Sequence, residues 1–253
     1  MAKYALIGNP IAHSKSPALF KAAYGNSIHS YTLLEAPTCK EGMQRFANEG
    51  FTGTNVTSPF KDEVMEYISF PDRISSILSS ANTVMMKEGK LHSWNTDYYG
   101  VKNSIAEFLP ANSKVSNMKA LTIGAGGAGK AAALALKDMG FEVFFANRSA
   151  GKAKPFAEKI GVEYIPLEKI STLLKDTDII VYNLSIPIDA FTGANLSGKI
   201  VFEANYAHPN LAGKGASTYI DGRYWLYNQA IPAFRIFTGE EPDTAAMRCC
   251  MGL

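Results

Sequence analysis

Lys119-Ala-Leu-Thr-Ile-Gly-Ala-Gly-Gly-Ala-Gly-Lys130 runs from apolar residues straight into glycines, and then into the alanine-rich segment Ala131 to Met139. That order predicts a buried strand, a tight turn and a helix. Gly124, Gly126 and Gly129 fit the pattern G-x-G-x-x-G, with Gly127 and Ala128 completing the loop. In that pattern the glycines allow the turn, let backbone approach a pyrophosphate, and bring helix and strand into close packing. The first N–H groups of the following helix lack intrahelical partners, and its dipole is positive there. An anion can therefore be held without a dedicated lysine. Gly140 stands where a helix C-cap belongs, and Phe141-Glu-Val-Phe-Phe-Ala146 reads as the next strand. The whole is a β-α-β unit of the dinucleotide-binding kind.

A chain selecting NAD usually carries Asp or Glu at the end of that second strand, to bind the ribose hydroxyls. Here the residues are Asn147-Arg148-Ser149, with Lys152 shortly after. A guanidinium at Arg148 can pair bidentately with a 2′-phosphate, and Lys152 adds positive charge. The expectation is NADP.

Composition narrows the remaining classes. The 253 residues, 47% of them hydrophobic, are enough for two cores. A net charge of +2, with the basic residues dispersed, gives no field that would favour nucleic acid or a membrane surface. The opening apolar run is cut off by Pro10, and no stretch reaches transmembrane length. Cys39, Cys249 and Cys250 are an odd set with two adjacent, which suits a reducing compartment better than a disulfide framework. The expected location is the cytoplasm. Four histidines, at 13, 29, 92 and 208, are scattered, so no metal site is expected.

In chain order, Lys3–Gly8 reads as a strand, and Gly8 to Pro17 as a loop leading into a helix, with Ser16 its N-cap and Pro17 at N1. Tyr31–Glu35 is a second strand, Thr38–Asn48 an amphipathic helix, and Gly53–Thr57 a third strand. Ser58-Pro-Phe-Lys61 is expected to start a helix, and Asp72 to Leu78 to be helical. Thr83–Met86 and Lys90–Trp94 form a hairpin about Glu88-Gly89. A helix from about Val101 leads into the dinucleotide region. Its further strands fall near 162–165, 178–182, 200–204 and 218–220, in a mostly parallel, doubly wound sheet. Leu226–Thr238 and Glu241–Cys250 read as two closing helices that return to the first part of the chain. The organisation is thus α/β, with segments 1–100, 101–223 and 224–253.

Several polar clusters in the first segment are unusual for plain loops. Ser14 and Ser16 flank Lys15; Asn55, Thr57 and Lys61 follow or end a strand; Asn82 precedes one; and Asp97 is read as ending one. Two serines one residue apart can both donate to a carboxylate, and asparagines can exchange hydrogen bonds with ring hydroxyls. The set suits a polyhydroxylated acid. A lysine and an aspartate together supply a proton-transfer pair. Taken singly, Lys61 is also consistent with a surface lysine and Asp97 with a turn residue.

Gly8-Asn-Pro-Ile-Ala-His-Ser-Lys-Ser-Pro17, Gly53-Thr-Asn-Val-Thr-Ser-Pro-Phe-Lys61, Ala81-Asn-Thr83 and Asn95-Thr-Asp97 precede the glycine loop in that order. With it they make the chain resemble the shikimate dehydrogenase (shikimate/quinate dehydrogenase) family over nearly its whole length. The resemblance implies an N-terminal α/β substrate domain and a Rossmann-type NADP domain facing each other across a cleft, with C-terminal helices packing on the substrate domain. It implies NADP-dependent interconversion of shikimate and 3-dehydroshikimate, a step toward aromatic amino acids, by a monomer or homodimer.

By position, the resemblance gives Ser14 and Ser16, helped by Tyr206, the substrate carboxylate. Asn55, Thr57, Asn82, Asp97 and Gln229 receive the ring hydroxyls, and Lys61 and Asp97 are the catalytic pair. Gly124, Gly126, Gly127, Ala128 and Gly129 form the phosphate loop, and Asn147, Arg148, Ser149 and Lys152 the 2′-phosphate site. Three stretches depart from the family pattern. Asn183-Leu-Ser-Ile-Pro187 replaces Asn-Ala-Thr-Pro, Glu203 replaces Asp, and Tyr224-Trp225 replaces a Gly-Met pair near the nicotinamide. Two aromatics there are expected to crowd the nicotinamide. The rival readings are an NAD-using quinate/shikimate dehydrogenase and a non-catalytic binding module of the same fold.

Overall fold

Short apolar strands and amphipathic helices alternate through the first 96 residues, and in a computed structural model they build one six-stranded mixed sheet. The described residues are 1–25, 28–111 and 113–253, without the side chain of Lys152. They divide into two units, 1–96 with 227–253, and 97–226.

In the first unit the strands are β1 (Lys3–Gly8), β2 (Ser30–Glu35), β3 (Gly53–Val56), β4 (Phe70–Pro71), β5 (Thr83–Lys87) and β6 (Lys90–Trp94). Their spatial order is β2-β1-β3-β5-β6-β4. β1 pairs in parallel with β2 and β3, whereas β5 is antiparallel to β3 and β6. The hairpin turns at Glu88-Gly89, both with positive φ, which suits the right-handed strand twist. Helices α1 (Ser16–Tyr24), α2 (Cys39–Asn48) and α3 (Arg73–Leu78) fill the crossovers. Thr38 caps α2 by accepting from Glu41 N, and Asp72 caps α3 by accepting from Ser75 N. Ala5, Ile7, Leu34, Met43, Phe46, Val56 and Val84 form the core between sheet and helices.

Several sequence expectations need correction here. Ser16 is not the N-cap of α1: that residue is Lys15, and Ser16 lies inside the first turn, where its hydroxyl serves the polar cluster described below. Ser58 to Lys61 form turns rather than the start of an α-helix, and the first helical residues after them are a single 3₁₀ segment, Glu63–Tyr67. Asp97 does not end a strand. β6 stops at Trp94, and Asp97 opens helix α4 (Asp97–Phe108), four residues before the expected start.

The second unit alternates strand and helix: β7 (Lys119–Ile123), α5 (Gly127–Met139), β8 (Glu142–Asn147), α6 (Ala150–Ile160), β9 (Glu163–Pro166), α7 (Ile170–Leu173), β10 (Ile179–Tyr182), β11 (Ile200–Glu203) and β12 (Thr218–Asp221). All pairings are parallel, in the order β12-β11-β10-β7-β8-β9. This is the doubly wound dinucleotide-binding order, with its switch point between β7 and β10. Helices cover both faces, so β7, β8, β10 and β11 are almost continuously buried. Ala131, Ala132, Ala133 and Ala135 of α5 are buried too and let the helix lie close to the sheet.

The chain closes with α8 (Gly222–Thr238) and α9 (Thr244–Met251). The first of these begins four residues earlier than the sequence suggested, because Gly222, with no Cβ, starts it directly at the end of β12. The division between units falls within α8, and residues 227–253 belong with the first unit.

Candidate active site

The glycine loop lies at the switch point of the parallel sheet, where ligands of such folds bind. Gly124 has φ of 104°, a conformation that side-chain-bearing residues rarely adopt. A Cβ on Gly129 would come within 1.8 Å of the Gly124 carbonyl oxygen, so the helix start and the strand end touch backbone to backbone. Gly126 precedes α5 with no side-chain cap, which leaves the first N–H groups of the helix for an anion.

Beside them is a cavity of about 450 Å³ lined by Gly124, Ala125, Gly126, Asn147, Ser149, Gly151, Asn183 and Leu184. Asn183 Oδ1 is buried with no hydrogen-bond partner among the described residues, an acceptor suited to a ligand donor. A glycine cradle, uncapped helix N–H groups and an orphaned acceptor together fit a dinucleotide. At the rim, Asn147 Nδ2 donates to Ser149 O at 3.0 Å, and Tyr164 donates to Asn147 O at 3.1 Å. These bonds shape the turn that carries Arg148, whose side chain is exposed. The side chain of Lys152 lies outside the described residues.

In the first unit, Ser14, Ser16, Asn55, Asn82 and Gln229 join one continuous hydrogen-bonded chain. Ser14 Oγ donates to Ser16 Oγ at 3.2 Å. The Tyr31 hydroxyl links Ser16 to Asn55, donating to Asn55 Oδ1 at 2.8 Å, and its pKa is raised strongly by burial, against a smaller lowering by the Ser16 bond. Asn55 Nδ2 donates to Asn82 O at 3.0 Å and to Thr83 Oγ1 at 3.1 Å. Asn82 Oδ1 accepts from Thr96 N at 2.7 Å, while Asn82 Nδ2 donates to Gln229 Oε1 at 3.1 Å. Thr96 Oγ1 also lies 3.0 Å from Gln229 Oε1. With every amide tied at one end, the side chains hold fixed orientations before any ligand arrives.

Thr57 and Lys61 are brought to the same region by backbone. Gly8 makes room for Thr57, whose Cγ2 would stand 2.4 Å from a Cβ at that position. Thr57 N donates to Ile7 O, Asn9 N to Ser58 O, and Ala81 N to Lys61 O at 2.8 Å. The serine loop, the lysine turn and Asn82 are thereby tied together.

Asp97 and Tyr206 belong to the second unit. Asp97 is 4% exposed at the start of α4, and Trp225 Nε1 donates to its Oδ1 at 3.0 Å. Trp225 is itself buried, against Phe202, while Tyr224 lies edge-on to Phe108. Tyr206 follows β11 in a loop held by Glu203, whose buried carboxylate accepts from Asn210 N, Leu211 N and the Tyr219 hydroxyl. Burial, followed by this carboxylate, raises the pKa of Tyr219. Burial, then the charge of Asp221, raises that of Tyr206.

Sequence reading did not single out Tyr31, Thr83 or Thr96, and assigned Trp225 no partner. Thr83 and Thr96 sit inside the quoted motifs, next to named residues. Tyr31 gave only the signal of a polar-tipped aromatic opening an apolar strand. Among the described residues there is no cluster of three or more metal-ligating side chains, and no helix long and apolar enough to cross a membrane.

Comparison with known proteins extends these observations. Residues 6–84 match the family profile described as the shikimate dehydrogenase substrate binding domain, and residues 108–195 the one described as shikimate/quinate 5-dehydrogenase. The NADP(+)-dependent shikimate dehydrogenase of Ignicoccus hospitalis is 32% identical over 94% of each chain. The crystal structure of shikimate dehydrogenase from Aquifex aeolicus aligns with a TM-score of 0.88 at 28% identity, covering 99% of this chain and 97% of that one. The Thermus thermophilus shikimate 5-dehydrogenase, solved with NADP(H) and shikimate, aligns with a TM-score of 0.82 at 28% identity, over 100% and 99% of the two chains.

Proposed function

The chain belongs to the shikimate dehydrogenase family, and from that premise we propose that it interconverts shikimate and 3-dehydroshikimate with NADP. The observation that carries the reading is likeness over nearly the full length of relatives named for this reaction, with the family's polar motifs in place.

What NADP supplies when bound is hydride transfer at C3 of the substrate. The chain's own residues do the rest. Gly124, Gly126, Gly127, Ala128 and Gly129 hold the pyrophosphate on the N-terminus of α5. Arg148, with Asn147, Ser149 and Lys152, takes the 2′-phosphate. Ser14 and Ser16 donate to the substrate carboxylate, helped by Tyr206, and Asn55, Thr57, Asn82, Asp97 and Gln229 bind the ring hydroxyls. Lys61 removes the C3 hydroxyl proton during oxidation and returns it during reduction, with Asp97 as its partner. Preset amides and hydroxyls support this role, since orientation lowers the entropy cost of reaching the reactive geometry. The enzyme works in the cytoplasm on a small molecule, as a monomer or homodimer, without nucleic acid or membrane.

The test uses Lys61→Ala. Loss of a positioned acid or base lowers kcat by about 10²–10⁴-fold, while calorimetric affinities for shikimate and NADP change only a few-fold. If wild-type protein binds shikimate but turns it over no faster than Lys61→Ala, the chain is a binding module and the proposal fails.

A further inference from the structure

Trp225 makes a contact that the reaction outlined above does not use. Its Nε1 donates to Asp97 Oδ1 at 3.0 Å, and both side chains are buried, at 5% and 4% exposure. A buried charge-assisted bond of this kind is among the stronger hydrogen bonds in a protein, because water does not compete for either end.

The elements on both sides are stiff. Trp225 sits in the first turn of α8, which begins at Gly222; a Cβ there would lie 2.3 Å from Ala204 O and 2.7 Å from Glu203 O, so the turn rests directly on backbone at the end of β11. The indole ring packs on Phe202 with centroids 5.3 Å apart. Asp97 opens α4, and the next residue, Tyr98, donates to Asp138 Oδ2 of α5 at 3.0 Å. An indole N–H is a single donor in a rigid plane, so it fixes the rotation of the carboxylate that it meets. The methionine of the family pattern at this position has no donor at all.

We propose that Trp225 is a positioning residue for the oxidoreduction: it holds Asp97 Oδ1 so that the carboxylate keeps one orientation within the second unit. The proposal rests on the reading of Asp97 as a partner in proton transfer. It also gives the Tyr224-Trp225 departure a role, with the aromatic facing the carboxylate.

The experiment is a double-mutant cycle of Trp225→Phe and Asp97→Ala in the full-length enzyme, read by single-turnover and steady-state rates. Trp225→Phe keeps an aromatic ring against Phe202 and removes the donor. The expected result is a kcat lower by about 10- to 100-fold, as for loss of a hydrogen bond to a charged group, with the shikimate KM and NADP Kd within about 3-fold of wild type. In the Asp97→Ala background the same substitution then costs nothing further. Trp225→Met, which also lacks the donor, should behave like Trp225→Phe and stands in if the latter misfolds. A wild-type kcat in these variants, or an equal loss in both backgrounds, overturns the positioning role while leaving the assignment of Asp97 intact. A wild-type kcat in Asp97→Ala overturns that assignment, and this proposal with it.

Discussion

The second unit carries its glycine loop in consecutive residues from Ile123 to Gly129, whereas the first gathers its polar chain from Ser14, Ser16, Tyr31, Asn55, Asn82, Thr96 and Gln229. One site is made of backbone, the other of side chains. A backbone site fails when any atom is added, because Gly124 and Gly129 already touch. A side-chain site fails when a donor or acceptor is removed, because each member orients the next.

The largest expected effect follows from the backbone site. Gly129→Val must push the start of α5 off the strand end, and a shift of about 1 Å in a binding loop costs about 10²-fold or more. NADP affinity should fall by that much while shikimate affinity holds. Equal loss of both ligands would mean that the two sites are not separately built.

The mirror experiment removes donors from the other site. Ser14→Ala with Ser16→Ala should raise the shikimate KM by about 100-fold, near 3 kcal/mol for two bonds to a carboxylate, with NADP Kd unchanged. An unchanged KM would place the acid group elsewhere.

Arg148→Ala sharpens the comparison within the second unit, separating the side-chain part of the cofactor site from its backbone part. NADP binding should weaken by about 1.5–3 kcal/mol and NAD binding hardly at all. Matching losses for the two cofactors would show that Arg148 does not meet the 2′-phosphate.

The smallest effect concerns the free thiols. Burial in the core of the first unit pushes Cys39 up to about 11, whereas Cys249 and Cys250 are exposed. A raised pKa keeps the thiol neutral at pH 8, so thiol reagents should modify Cys249 and Cys250 at once and Cys39 only as the first unit opens. Saturating shikimate should slow Cys39 labelling further. Faster labelling with shikimate would contradict its binding to that unit.

Legibility in the sequence tracked the same distinction. The β7-loop-α5 segment was readable because its signals are local: an apolar run, glycines at set spacing, and Gly140 in the left-handed region at φ 97°. The side-chain site was readable by residue type and by family resemblance, but not by contact. Tyr31 reaches Asn55 across β1, through the β2-β1-β3 order, which no local pattern reveals. Helix starts were misjudged where tertiary contacts override local preference. Ser16 serves Ser14 and Tyr31 instead of capping, and Ser58 to Lys61 turn with their carbonyls bonded to Asn9 N and Ala81 N. The partnership of Trp225 with Asp97 spans most of the second unit and left no trace in spacing.

The most direct test of the central claim is a set of initial rates with purified protein: shikimate and quinate, each against NADP and NAD. The value of kcat/KM should be highest for shikimate with NADP, and replacing NADP by NAD should lower it by about 10- to 100-fold, in line with the lost Arg148 contact. Faster turnover of quinate with NAD, or no turnover of any pair by protein that binds shikimate, would contradict it.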